Sequence, residues 1–159
     1  AVATYVSRAA EKLRRQYYAA TSIQVFVVTN GYRKEKYAYN PQSRYQHSNF
    51  LVATADTAEL IQYALSLAEK LYEPGLKYLK AGVILGGLVP DNSIQANLFV
   101  QENQNQKRFL MEAVDNINFS NRDDIIKYAA SGLKRNWKMR QELRSKRFTT
   151  RWNELYEIK

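Results

Sequence analysis

Cysteine is absent from the 159 residues, and histidine occurs once, at His47. Without thiols there is no disulfide framework, no thiolate zinc site and no cysteine nucleophile, and a reducing cytoplasm is the expected setting. A lone histidine leaves no basis for a histidine metal site or proton relay. No run of about 18 apolar residues occurs and no signal peptide opens the chain, so the expectation is a soluble protein with no membrane role. Acidic residues are also few, 15 Asp+Glu against 24 Lys+Arg, for a net charge of +9. That surplus favours polyanionic partners, with nucleic acid ahead of an anionic membrane. It is also uneven. Residues 134–151 hold Lys134, Arg135, Lys138, Arg140, Arg144, Lys146, Arg147 and Arg151 against Glu142 alone, a local +7.

What is present suits a folded protein: 45% apolar and 13% aromatic residues, enough for one domain with a core or a small domain plus an extension. The opening "AVATYVSRAAEKLRRQYYAA" predicts a helix, with an apolar stripe of Val2, Tyr5 or Val6, Ala9, Leu13 and Tyr17 and a basic stripe of Arg8, Lys12 and Arg15. No capping residue precedes it, as expected for a piece of a larger chain. "SIQVFVVTN" predicts a strand ending in the Asn30-Gly31 turn signal. The polar, tyrosine-rich "YRKEKYAYNPQSRYQ" reads as a long hairpin connection, and "HSNFLVAT" as the returning strand. "ADTAELIQYALSLAEKLYEPG" predicts a helix that Asp56 caps and Pro74-Gly75 end. "KYLKAGVILGGLV" is a third strand, with Leu79, Ala81, Val83 and Leu85 on one face and Tyr78, Lys80, Gly82 and Ile84 on the other. Beyond a linker at 89–103 come a helix over about 105–117, a strand-like "DIIKYAA" and the basic tail.

Helix, strand, strand, helix, strand is the order of an α+β, ferredoxin-like split β-α-β unit lacking its first strand. Two helices on one sheet face would leave the other face open to a partner. Four groups of residues compete for function. In the connection, Arg33, Lys34, Lys36 and Arg44 interleave with Tyr32, Tyr37, Tyr39 and Tyr45, a mixture that suits phosphates and sugars as well as a solvated loop. The basic tail reads either as a partner surface or as a solvated amphipathic helix anchored by Trp137, Met139, Leu143 and Phe148. Asp123-Asp124 lacks the converging carboxylates that a two-metal site requires and reads as a cap. No Ser/His/Asp set and no phosphate-cradling glycine loop occurs, so no catalytic residues are expected. Finally, "IQANLF" sets Leu98 beside Phe99 in a polar linker, with Gln95 three and four residues before them. The pair either packs on its own domain or is buried by another protein.

"SRAAEKLRR" at 7–15, "GLKYLKAGVILGGL" at 75–88, "QANLF" at 95–99 and "WKMRQELRSKRFTTRWNEL" at 137–155 resemble, in order, the C-terminal part of Y-family DNA polymerases of the UmuC type, the catalytic subunit of DNA polymerase V. The resemblance implies a little-finger DNA-binding domain at 1–88, a linker with a sliding-clamp motif at 89–103, and a small, mostly helical, basic extension at 104–159. It implies that Gln95, Leu98 and Phe99 bind the β sliding clamp, and that UmuD-type accessory proteins and RecA are partners. It further implies error-prone translesion synthesis in the SOS response to DNA damage. The Mg2+-binding palm is absent, so polymerisation is not expected of these residues and no cofactor is expected on them. On the open face and its connection, Arg33, Lys34, Lys36, Arg44 and Lys80 are the candidate DNA contacts. A missing first strand would leave a sheet edge open to homodimerisation. Lys146 stands where the family usually has proline. The competing readings are an RNA-binding ferredoxin-like module, which needs exposed aromatics on its central strands (Phe26 is the one candidate), and a protein-interaction scaffold with no DNA role.

Overall fold

The computed structural model describes residues 1–29, 42–95, 104–121, 125–133, 137 and 143–156. Helix α1 (Val2–Arg15) leads into strand β1 (Tyr18–Thr29), which pairs antiparallel with β2 (Ser43–Thr54). Helix α2 (Thr57–Leu71) and strand β3 (Tyr78–Pro90) follow, then helix α3 (Gln104–Ser120). β3 pairs antiparallel with β1, so the sheet order is β2-β1-β3 and the architecture is α+β with a little-finger-like, ferredoxin-type arrangement. The outer edges of β2 and β3 have no partner strand among the described residues.

Alternation along β1 sends Ile23, Val25 and Val27 to one side, where α1 (Ala3, Val6, Ala10) and α2 (Leu60, Ile61, Ala64, Leu67, Leu71) bury them. The i, i+3, i+4, i+7 spacing of the α2 residues explains why that helix forms and which face it buries. Its start is fixed by Asp56, whose carboxylate accepts the Glu59 main-chain N–H at 3.0 Å. Glu59 does not complete a reciprocal box; its carboxylate accepts from the Thr54 hydroxyl at 2.8 Å instead, tying the helix to the end of β2.

Three local expectations are corrected. Tyr17 does not extend the α1 stripe: the helix ends at Arg15, Tyr17 takes a left-handed φ of 59° and lies 70% exposed, and β1 begins at Tyr18. The aromatic, β-capable residues after Tyr17 continue better as strand, where Ala19 and Ala20 are buried between β2 and β3. β2 starts at Ser43, which draws Arg44, Tyr45 and Gln46 out of the connection and into the sheet. "DIIKYAA" is no strand over its described part. Ile126 exchanges main-chain hydrogen bonds with the Asn118 side chain (2.8 and 3.1 Å), and a 3-10 turn follows at Ala129–Ser131.

Helix α3 and residues 125–131 lie against the helical layer. Arg14 is the joint: its guanidinium makes two 2.7 Å bonds to the Asp115 carboxylate and donates to the Ala55 carbonyl (2.7 Å) and Thr57 hydroxyl (2.8 Å). Fork-to-fork pairing of this kind is among the stronger polar contacts available to a protein.

Candidate functional site

The sheet face away from the helices is open, and its residues follow from the register. Across β2-β1-β3 the rows read Ser43, Val28, Lys80; then Tyr45, Phe26, Gly82; then His47, Gln24, Ile84; then Asn49, Ser22, Gly86. None of the three strands carries an Asp or Glu. The face is therefore free of fixed negative charge in its own residues, with hydroxyl, amide and imidazole groups exposed along β2. Anions approach such a surface without a repulsive partner.

Of the five cations named from sequence, Lys80 stands on this face and is exposed. Arg44 does not: its place opposite Val27 puts it on the helix side, where its guanidinium pairs with Glu73 just past α2. Arg33, Lys34 and Lys36 lie outside the described residues. The chain they belong to leaves β1 at Thr29 and returns at Gln42, where the Thr29 N–H donates to the Gln42 carbonyl at 3.0 Å. Their connection is thus rooted beside Lys80, at one end of the sheet.

The proposed clamp motif begins at the other end. Pro90, opposite Tyr18, closes β3; a 3-10 turn follows (Asp91–Ser93), and the Asp91 N–H donates to the Tyr17 carbonyl at 2.9 Å. Gln95 is exposed just beyond; Leu98 and Phe99 lie outside the described residues. The twelve residues of β1 separate the two ends by roughly 35 Å at about 3.3 Å per residue.

Tyr45, a candidate from sequence as part of the connection, stands instead in β2, 63% exposed beside Phe26; His47 and Asn49, which the sequence did not single out for binding, join it on the open face. The first part of β2, residues 43–49, has polar residues on both sides, so alternation gave no sign of its face. Arg14 was hidden among its basic neighbours.

On the opposite side, α3 exposes Phe109, Leu110, Ile117 and Phe119, and a cleft of about 340 Å³ runs between α3 and the α1–β1 junction, with Tyr17, Arg108 and Met111 in its lining. The Tyr128 hydroxyl donates to the Met111 sulfur at 3.2 Å, and burial pushes its pKa upward. Of the tail anchors, Trp137 meets Tyr5 edge to face at 5.3 Å and Phe148 stacks on Tyr156 at 5.0 Å, whereas Leu143 is fully exposed. Lys146 lies over the Tyr156 ring at 4.8 Å. The Arg147 N–H donates to Glu154, which holds that carboxyl below the usual range. Among the described residues, no group of three or more acidic or histidine side chains could hold a metal ion, and no helix is long and apolar enough to cross a membrane.

Residues 1–98 match the impB/mucB/samB family C-terminal domain, and residues 108–158 match a domain of unknown function, DUF4113. The chain is similar to Protein UmuC of Salmonella typhimurium, 32% identical over 163 residues that cover 100% of this chain and 37% of that protein. It is similar to Protein SamB of Salmonella typhimurium, 34% identical over 158 residues, 98% of this chain and 36% of that protein. It is also similar to Protein MucB of Escherichia coli, 30% identical over 156 residues, again 98% and 36%. The chain therefore spans little more than a third of the length of these relatives.

Proposed function

The chain belongs to the impB/mucB/samB family, as the C-terminal region of a UmuC-type Y-family polymerase; on that premise we propose that it holds duplex DNA without sequence preference and tethers its enzyme to a sliding clamp during error-prone synthesis past lesions. The observation that carries the reading is the open sheet face, built from three strands without a carboxylate, with Lys80 and the root of the basic connection at one end. In this reading Arg33, Lys34, Lys36 and Lys80 neutralise phosphates, which positions the duplex and reads no sequence. Arg44 serves instead to fix the β2–α2 side through Glu73.

Gln95, Leu98 and Phe99 form the tether. The two apolar side chains fill a pocket on the clamp, at about 1.5–3 kcal/mol each if fully buried, and Gln95 bonds at its rim. Because Gln95 follows β3 at the sheet end remote from Lys80, clamp and duplex can be engaged together. A tether of this kind raises local concentration at the primer end without demanding tight DNA binding. The apolar outer side of α3 is where accessory proteins of the UmuD type, or RecA, would dock. No catalytic step is assigned to these residues; the metal-binding carboxylates of such an enzyme belong to its palm.

The test is duplex binding by fluorescence anisotropy over a salt series, alongside binding to a bacterial sliding clamp. Lys80→Ala should lower affinity and shallow the log–log salt slope by about 0.9. Leu98→Ala/Phe99→Ala should abolish clamp binding and leave DNA binding intact. A chain that binds neither partner refutes the reading.

A further inference from the structure

The middle of the open face is not cationic but aromatic, and one glycine makes it so. Phe26 and Tyr45 are direct cross-strand partners, and on the other side of Phe26 stands Gly82. A Cβ at Gly82 would come within 2.3 Å of Phe26 Cζ and 2.4 Å of Cε1. The Phe26 ring therefore lies across the β3 backbone in space that any other residue would take. Two rows away Gly86 repeats the arrangement, where a Cβ would meet the Ser22 hydroxyl at 2.7 Å. Side chains thus stand up along β2 and are cut away on β3 at Gly82 and Gly86, with the exposed Ile84 between them, and the exposed Tyr45 continues the Phe26 surface. Gln24, His47 and Asn49 flank the pair with neutral or imidazole hydrogen-bonding groups.

We infer that Phe26 and Tyr45, seated by Gly82, form an apolar platform on which the sugar and base surface of duplex DNA packs, a contact distinct from the phosphate contacts of the basic residues. The inference rests on the DNA reading proposed above. The occupant follows from charge: the three strands carry no carboxylate and Lys80 stands on the same face, so a polyanion with apolar surfaces fits. Packing on aromatic faces releases no counterions, so its share of the affinity persists at high salt, whereas the share of Lys80 and the connection fades. Gly82 is a positioning residue here, acting through Phe26.

The experiment is duplex-DNA anisotropy over a salt series with the full 159-residue chain and its variants, each checked for an unchanged urea midpoint. Tyr45→Ala should weaken binding by roughly tenfold at low and high salt alike, leaving the slope unchanged, while Tyr45→Phe retains affinity. Gly82→Ala should weaken binding by pushing the Phe26 ring aside, and should do nothing further in a Phe26→Ala background. Wild-type binding that survives Tyr45→Ala and Gly82→Ala, or a loss confined to low salt, overturns the platform and leaves the DNA reading standing. Failure of the unsubstituted chain to bind duplex removes both. Selective binding of a single strand of the same length, with loss on Tyr45→Ala, overturns the duplex as occupant.

Discussion

Residues 1–90 and residues 104–156 are held together by different physics. In the first region two helices and a sheet enclose one apolar core, whose fully buried side chains include Ile23, Val25, Leu60 and Val6. In the second, Met111 is the one buried hydrophobic among the described residues, and Phe109, Leu133, Leu143 and Trp152 are largely in solvent. What attaches the second region is Tyr128, packed against the edge of that core, and a set of discrete pins: Arg14 to Asp115, Arg108 to Asp91 at 3.2 Å, Trp137 on Tyr5, and Arg15 over the Phe119 ring at 5.1 Å. A core loses stability over many contacts at once, whereas a pinned region can detach one point at a time. The first region is a platform and the second is cargo docked upon it.

The difference can be broken or sharpened by substitution. Leu60→Ala, at the centre of the core, should cost about 2–5 kcal/mol and shift the urea midpoint of the whole molecule. Asp115→Ala strips the carboxylate from a half-buried guanidinium and should cost about 1.5–3 kcal/mol. That loss should surface as faster proteolysis within 104–156 while residues 1–90 stay resistant. Equal sensitivity of both regions would mean that they unfold as one unit and the contrast drawn here is false. Tyr5→Leu removes an edge-to-face pair worth about 0.5–1.5 kcal/mol and should red-shift Trp137 fluorescence without moving the global transition.

The smallest effect is one of pH. The Arg147 N–H and guanidinium depress the Glu154 carboxyl, so its support for the 147–155 turn is complete above the unfolded value near 4.3 and is lost as pH falls through the lower folded value. In amide exchange the Arg147 N–H should lose protection in that acidic window before any core amide does. Retained protection there would show that Glu154 is not what holds the turn.

Much of the first region could be read in advance because its signals are local. Asp56, the α2 stripe and Pro74-Gly75 define a helix without outside help. The alternation of Ala81, Val83 and Leu85 assigns the faces of β3 from residue 80 onward, whereas the register shift between Val28 and Thr29 sets Tyr78 against the core and leaves Leu79 exposed, the reverse of the expectation. The failures fall where periodicity is silent or competes. Tyr17 satisfies a helical stripe, yet the chain turns at φ 59° one residue before β1. Arg44 and Tyr45 sit in the first half of β2, which is polar on both faces, so composition read them as loop, whereas the register sets Arg44 on the helix side of the sheet. Arg14 had no visible partner because Asp115 lies 101 residues away. Of the candidate site, the open face and Lys80 were legible, and the aromatic row was not, since it exists only once Tyr45 is brought opposite Phe26.

Arg14 also imposes an order in time. Two of its bonds, to Ala55 and Thr57, close loops of 41 and 43 residues, and those to Asp115 close one of 101. The shorter closures carry the smaller entropic toll and belong to elements that the core assembles in any case. By the time α3 arrives, its socket is already cut, with the guanidinium held at the angle the carboxylate needs. A nascent chain leaving the ribosome would therefore finish its platform first and lock the extension on last.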